Sequence, residues 1–243
     1  MIAGRLYIIP TPIGNLEDIT LRALRLLAEV DRILAEDTRR TALLCQHYNI
    51  RTPLVSVRAH NLSHKIPALI AGLNSGERYA LVTDAGMPGI SDPGVPLVKA
   101  AAEQGITIEV LPGASAVVTA LAGSGLAADS FVFTGFPPRK GGRRRQWLQQ
   151  MVTESRTLVF YEAPPRLAQT LTDMAAVLEP GRPVVVAREL TKLHESWYRG
   201  TIAELAERFR TMEGVVRGEI SVVVSGCAKP AVQPHRNRYK DEE

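Results

Sequence analysis

Five short apolar runs alternate with five amphipathic segments across the first half of the chain, and few folds accept that pattern. The runs are Leu6–Ile9, Arg32–Ala35, Leu54–Val57, Tyr79–Thr83 and Thr107–Leu111. Helical spacing appears at Leu21–Ala28, Thr41–His47, Lys65–Leu73, Val95–Gln104 and Ala116–Ala122. Strands separated by helices of this length read as βαβ units, and so as an α/β domain with a mostly parallel sheet. Asp18 and Thr20 are candidate caps for the first helix.

Gly123-Ser124-Gly125 and the following Ala127-Ala128-Asp129-Ser130 read as a junction, after which the spacing changes. Strands are predicted at Phe131–Gly135, Thr157–Tyr161, Pro183–Arg188, Trp197–Thr201 and Glu219–Val224, and helices at Arg144–Met151, Leu167–Leu178 and Ile202–Arg210. The last strands lie close together in sequence, which predicts antiparallel pairing in a mixed sheet. The organisation is therefore two α/β domains, residues 1–125 and 126–228. A Pro-rich, charged tail over 229–243 is expected to be disordered.

Three strand exits in the first half are rich in Gly and Pro. Val82–Gly94, VTDAGMPGISDPG, holds three Gly, two Pro and two Asp. Pro10-Thr11-Pro12-Ile13-Gly14-Asn15 follows the first strand, and Leu111-Pro112-Gly113-Ala114-Ser115-Ala116 follows the fifth. Open parallel sheets bind ligands beyond the carboxyl ends of their strands, so these loops form one candidate rim. No G-x-G-x-x-G follows the first strand, and no G-x-x-x-x-G-K-[ST] occurs anywhere. Pro10 and Pro12 remove amide donors where a phosphate would need them. NAD and ATP are disfavoured accordingly.

Other classes fall away on simple grounds. No run approaches the roughly 18 apolar residues of a membrane span. The N-terminus leads straight into the first strand, with no h-region of signal-peptide length. Two cysteines, Cys45 and Cys227, lack metal-ligand spacing and fit a reduced, cytoplasmic setting. His60 and His64 sit four apart without a third ligand at diagnostic spacing, so no metal is expected. Ser115 lies in P-G-A-S-A rather than a nucleophile elbow.

The net charge of +4 is mildly basic, and its distribution is more informative than its size. Arg139–Arg145 carries five positive charges in seven residues, with Trp147 beyond. That segment is either a solvated loop entering a helix or a phosphate-contacting loop backed by an aromatic ring. Polar clusters end strands in both halves: Glu36-Asp37-Thr38-Arg39-Arg40, Tyr161-Glu162-Ala163-Pro164-Pro165-Arg166, and Arg188-Glu189-Leu190-Thr191-Lys192 with His194 and Glu195. A helix N-cap with an ion pair accounts for any one of them; several together predict a cleft between the two domains.

The ordered motifs resemble the tetrapyrrole-methylase-type, class III methyltransferases that use S-adenosyl-L-methionine. The resemblance rests on LYIIPTPIGNLEDIT at Leu6–Thr20, AEDTRRT at Ala35–Thr41 and VTDAGMPGISDPG at Val82–Gly94. It continues through LPGASA at Leu111–Ala116, FTGFPPRK at Phe133–Lys140, FYEAPPRL at Phe160–Leu167 and ARELTKLHE at Ala187–Glu195. It spans about residues 5 to 226. It implies two α/β domains with the cofactor folded into the cleft between them, and a homodimer; the narrower likeness, to the rRNA-methylating branch of that family, implies methylation of a cytidine ribose 2′-hydroxyl in 16S rRNA of the small ribosomal subunit. S-adenosyl-L-homocysteine would be the product. The cofactor positions carried over are Ile13; Ala85, Gly86, Met87 and Ile90; Ser115 and Ala116; Tyr161; and Ala187. Met87 stands where relatives commonly have a small polar residue or Asp, which removes a side-chain hydrogen bond to the cofactor. Longer relatives add a helical C-terminal segment.

Methyl transfer to a 2′-hydroxyl needs alignment and removal of one proton. Asp37, Asp84, Glu162 and Lys192 are candidates near the hydroxyl, with Asp84 or Glu162 favoured as proton acceptor. Arg39, Arg143, Arg144, Arg145, Arg188 and Lys192 are the candidates for RNA contacts. Two alternatives remain at this point. One is a tetrapyrrole C-methyltransferase, whose first loop is usually G-x-G-P-G-D, where this chain has P-T-P-I-G-N. The other is a non-catalytic module binding the cofactor or RNA.

Overall fold

The computed structural model describes residues 4–212 and 216–227. The expected tail over 229–243 lies outside them. Two compact units are present. One comprises the chain up to Ala120 with Arg188–Ser196; the other comprises Leu121–Ala187 and the chain from Trp197 onward.

In the first unit the strands are β1 (Arg5–Ile8), β2 (Arg32–Ala35), β3 (Leu54–Ser56), β4 (Arg78–Val82) and β5 (Thr107–Val110). They pair in the order β3-β2-β4-β1-β5, every pairing parallel. The helices are α1 (Leu21–Glu29), α2 (Thr38–His47), α3 (Leu62–Asn74), α4 (Val95–Glu103) and α5 (Ala116–Ser124).

Strand alternation assigns the helices to faces. Tyr7, Ile33, Ala80 and Val82 share a core with Ala23, Leu26 and Leu27 of α1 and Cys45 of α2. The intervening Leu6, Ile8, Leu34, Tyr79 and Leu81 pack with Leu69 and Leu73 of α3 and Leu97 and Ala101 of α4. Each Val, Leu or Ile among them taken fully out of water contributes about 1.5–3 kcal/mol. Truncating Leu97, which is wholly buried, to Ala would cost about 2–5 kcal/mol. Helix α1 is capped by Thr20, whose side chain accepts from the Ala23 amide at 3.1 Å.

The second unit contributes β6 (Phe131–Phe133), β7 (Thr157–Glu162), β8 (Pro183–Arg188), β9 (Ser196–Thr201) and β10 (Ile220–Val224), ordered β6-β7-β10-β8-β9. The sheet is mixed, as the spacing predicts: β6 is parallel to β7, and β10 is antiparallel to it. Helices α6 (Gly141–Gln150), α7 (Leu167–Val177) and α8 (Ile202–Thr211) cover one face. Leu148, Leu171, Met174, Leu205 and Phe209 pack there on Leu158, Phe160, Val186 and Val222. Thr201 and Glu204 close α8 with a reciprocal capping box, at 3.3 and 2.8 Å.

Helix α6 begins three residues earlier than its apolar spacing predicts. Gly141 and Gly142 are weak helix formers, yet the Arg144 amide donates to the Lys140 carbonyl at 2.9 Å. Burial of Arg144 and Leu148 on one stripe overrides the local preference.

Candidate functional site

Because all five strands of the first unit run parallel, the loops after β1, β2, β4 and β5 leave from one edge. The structure ties the first and fourth exits together. Thr11 and Gly86 exchange both backbone hydrogen bonds, at 3.0 and 2.9 Å, and Thr11 Oγ1 donates to the Thr83 carbonyl at 2.9 Å. Gly86 has φ +84°, a left-handed conformation that suits glycine. A Cβ there would sit 3.4 Å from Ile13 Cγ2 and 3.7 Å from the Ala114 carbonyl oxygen. The three Gly/Pro-rich loops therefore meet around one bare stretch of backbone. Pro10 seats the third loop, since a Cβ on Gly113 would come within 2.9 Å of its ring.

Carboxylates gather at the same edge. Asp84 Oδ1 accepts from the Asp37 amide at 3.0 Å, and its Oδ2 lies 3.7 Å from Arg40 Nε. Thr83 Oγ1 donates to Glu36 Oε2 at 3.1 Å. Asp92, on the loop after β4, also meets the Thr83 hydroxyl; burial, opposed by that hydrogen bond and reinforced by Glu36 and Asp84, raises its pKa to about 6. Hydrogen bonds from the side chain and amide of Arg39 hold Asp37 well below the usual carboxylate range. With Thr11 and Gly86 amides spent on each other and acids around them, this rim disfavours a phosphate. It suits a cationic or neutral ligand group.

Beside Asp84 lies a cleft of about 200 Å³ lined by Thr11, Pro12, Leu16, Arg40, Thr41, Leu43, Leu44, Thr83 and Asp84. Leu16 and Leu43 are 39% and 68% exposed. The sequence places Glu36 and Arg40 in a polar cluster and Asp92 in a Gly/Pro-rich loop without giving any of the three a role, and it does not single out Leu43. One signal was available: Leu43 is apolar on a helix whose buried stripe is Thr41, Leu44 and Cys45.

Arg188–Ser196 belongs with this unit although it comes late in the chain. Glu189 and Thr191 have φ +55° and +64°, and each left-handed non-glycine residue costs roughly 1–3 kcal/mol. The turn is held by Lys192 Nζ donating to Glu189 Oε1 at 2.8 Å and by the Thr191 amide donating to Glu195 Oε2 at 2.6 Å. Arg188 Nη2 donates to the His194 carbonyl at 3.3 Å. Gly14 lies against this turn: a Cβ on it would come 2.7 Å from both the Leu190 carbonyl and Thr191 Oγ1, and would overlap Lys192 Cγ.

The other expected cofactor positions are distributed as follows. Ile13 is buried, and Ala85, Ser115 and Ala116 are half-buried. Ile90 is 45% exposed. Met87 packs against the core beneath the sheet with Leu81 and Leu97, so an apolar side chain there has a structural reason. In the second unit, Tyr161 stands edge-on to Phe133 at 5.0 Å, with Phe136 at 5.5 Å. Ala187 is wholly buried in β8.

Three expectations need correction. Glu162, favoured with Asp84 as proton acceptor, has a side chain with no exposure. Its Oε1 takes the Ala163 amide at 2.7 Å and Arg166 Nη2 at 2.6 Å, and its Oε2 takes Thr170 Oγ1 at 2.6 Å. It anchors the start of α7. Arg144, expected at RNA phosphates, is 3% exposed and bound to Asp173. Arg143 and Arg145 remain on the exposed side of α6. Trp147 packs edge-on to Phe160 at 5.6 Å and is a core residue, not a platform for bases.

Among the described residues no group of three or more His, Cys, Asp or Glu could hold a metal, and no helix is long and apolar enough to cross a membrane. Cys45 is buried and Cys227 half-buried, and both are free thiols.

The sequence profile described as Tetrapyrrole (Corrin/Porphyrin) Methylases matches residues 5–206. A Synechocystis sp. protein named ribosomal RNA small subunit methyltransferase I is 48% identical over 231 residues, which is 95% of this chain and 82% of its own. Proteins of that name from Streptococcus pyogenes serotype M3 and Thermotoga maritima are 50% and 47% identical. They cover 93% and 92% of this chain, and 77% and 99% of their own lengths. Among solved structures, the methyltransferase CobJ superposes with TM-score 0.66 at 19% identity, covering 96% of this chain and 98% of its own. Uroporphyrin-III C-methyltransferase from Thermus thermophilus, complexed with S-adenyl homocysteine, gives 0.62 at 20% identity, covering 90% and 97%. At such identities these two likenesses speak to the fold.

Proposed function

We infer, from the premise that this chain belongs to the tetrapyrrole (corrin/porphyrin) methylase family, that it methylates ribosomal RNA of the small subunit with S-adenosyl-L-methionine as donor. The acceptor in this reading is the ribose 2′-hydroxyl of a cytidine in 16S rRNA. The names of relatives 47–50% identical over more than nine-tenths of the chain support the RNA substrate. The resemblance read from the sequence supports the cytidine, and likewise a homodimer acting on the 30S subunit in the cytoplasm.

The observation that carries the reading is the Thr11–Gly86 bridge. It joins two strand exits, consumes their amides and leaves side-chain-free backbone between Ile13 and Ala114. Ile13, Ala85, Gly86, Met87, Ile90, Ser115 and Ala116 would hold the cofactor there, and Tyr161 and Ala187 are its proposed contacts from the second unit. The acidic edge suits the cofactor's positive charge. When bound, the cofactor supplies a methyl group activated on a sulfonium. The protein must align the hydroxyl and accept its proton. Asp84 is the proposed acceptor, because it lines an open cleft while Glu162 is enclosed. Holding Oδ1 on the Asp37 amide and Oδ2 towards Arg40 fixes the carboxylate's direction. Arg39, Arg143, Arg145, Arg188 and Lys192 are the proposed RNA contacts.

The test has two steps. Calorimetry should detect binding of S-adenosyl-L-methionine to the purified protein. Labelled methyl should then pass to 30S subunits or 16S rRNA from a strain lacking the activity, and mass spectrometry should map it to one cytidine ribose. Cofactor binding with no transfer to either RNA would overturn the reading.

A further inference from the structure

Resting on that reading of the reaction, we propose that the cleft between Pro12, Leu16, Leu43 and Asp84 receives the base of the target nucleotide, a single pyrimidine-sized ring swung out of its stack. Position is the first support. The cleft shares Thr11, Thr83 and Asp84 with the strand-exit rim, so a base seated in it leaves its own ribose at Asp84, beside Ala85 and Gly86. Enzymes that do chemistry on a base extrude its nucleotide into a pocket, and the same swing would present this nucleotide's ribose to Asp84.

Size is the second. At about 200 Å³ the cleft is smaller than the roughly 300–1,000 Å³ usual for drug-sized ligands. It has room for one ring.

Surface chemistry is the third. Leu43 projects from α2 outside the buried stripe and lines the cleft together with the partly exposed Leu16. With Leu16 and Pro12 it gives an apolar wall suited to the face of a base. The hydroxyls of Thr11 and Thr83 are already committed to the Thr83 carbonyl and Glu36, so they make the floor without demanding a partner. Asp84 is the polar group at the edge.

Charge is the fourth. Arg40, 63% exposed, lines the cleft, and Arg39, 82% exposed, precedes it on the first turn of α2. Each is paired with a carboxylate, Asp37 or Asp84, yet stays exposed enough on its outer side to meet the phosphates flanking an extruded nucleotide.

Leu43→Trp fills the cleft from an exposed position and so leaves folding intact. Its Tm and its affinity for S-adenosyl-L-methionine should match the wild type, while kcat/KM for methylation of rRNA falls by about a hundredfold or more. Leu43→Met should retain activity. An RNA lacking the base at the mapped nucleotide should be methylated equally by wild type and Leu43→Trp, because the tryptophan then displaces nothing. Wild-type rates from Leu43→Trp on intact RNA would overturn the cleft assignment and leave the methylation reading standing. So would an equal penalty on both RNAs, which would make Leu43 a docking residue. Failure of the wild type to methylate any rRNA would overturn the reaction reading itself.

Discussion

Arg144 and Asp173 form a buried ion pair in the second unit: guanidinium Nε and Nη2 both donate to one carboxylate oxygen, at 2.8 and 2.5 Å. Their side chains are 4% and 5% exposed. The other oxygen of Asp173 receives Arg145 Nη1 at 3.3 Å and Gln169 Nε2 at 3.4 Å. Removing one partner of such a pair strands a charge away from water. Arg144→Ala should therefore cost about 3–5 kcal/mol, lowering Tm by roughly 2–4 °C per kcal/mol. Arg143→Ala, one residue away and exposed, should stay within about 0.5 kcal/mol. Thermal denaturation followed by circular dichroism distinguishes the two; equal Tm values would remove the pair from the stability of this unit.

Asp84 and Glu162 should separate by phenotype. Asp84→Asn keeps an oxygen for the Asp37 amide but cannot accept a proton, so methyl transfer should fall about 10²–10⁴-fold at little cost in Tm. Glu162→Gln presents an NH₂ where both Arg166 and the Ala163 amide, or else Thr170, need an acceptor. It should lower Tm by the equivalent of about 1–3 kcal/mol. Single-turnover methylation beside a melting curve checks both. An Asp84→Asn enzyme with wild-type turnover would end its assignment as proton acceptor.

Much of this was legible in the sequence because the parallel sheet writes itself in apolar runs, and the rim in Gly and Pro. Thr107–Leu111 and Tyr79–Thr83 read directly as strands. What was not legible depends on direction around a helix or on long-range contact. Arg143, Arg144 and Arg145 are identical letters about 100° apart around α6, and only the buried stripe with Leu148 decides which turns inward. Glu162 looks like a rim carboxylate until Thr170, eight residues on, closes over it. The return of Arg188–Ser196 to the first unit has no local signal, since its reason is the close fit of Gly14 against Leu190 and Thr191.

That fit gives a steric prediction. In Gly14→Ala the new methyl would meet the Leu190 carbonyl, Thr191 Oγ1 and Lys192 Cγ at once, and the two oxygens belong to a strained turn that has little room to move. Overpacking of this kind costs about 1–3 kcal/mol. Gly181→Ala, which meets nothing within 4 Å, is the control and should be near neutral. Limited proteolysis should cut Gly14→Ala faster within Arg188–Ser196; unchanged protection and Tm would show that the turn yields without cost.

Asp92 predicts a pH dependence whose sign follows from its burial. Its folded pKa, about 6, lies above the ordinary 3.8, with Glu36 and Asp84 facing it and Thr83 opposing the shift. Between those values the folded state holds the proton more tightly than the unfolded chain. The proton-linked stability is thus fully present below about pH 3.8 and lost as pH rises through about 6. Asp92→Asn cannot lose that proton. Its stability relative to wild type should rise across this window and level off above it. Urea unfolding of both proteins at intervals from acid to neutral pH gives the difference directly. A flat difference would mean that Asp92 titrates normally.

RNA affinity should divide the arginines in the same way as burial. Arg39 is 82% exposed at the first turn of α2, and Arg143 is exposed on α6. Each phosphate contact to a single strand contributes about 0.7 to the slope of log affinity against log salt. Replacing both with Ala should flatten that slope by roughly 1.4 over about 50–200 mM salt, with Tm unchanged. Arg144→Ala should leave the slope alone once enough protein is folded, because a guanidinium buried on Asp173 cannot reach a phosphate, whereas Arg39, though paired with Asp37, is exposed. Filter binding of 16S rRNA fragments across a salt series reads both outcomes. An unaltered slope for the exposed pair would remove Arg39 and Arg143 from the RNA interface, and a flatter slope for Arg144→Ala would show that the buried pair opens when RNA binds.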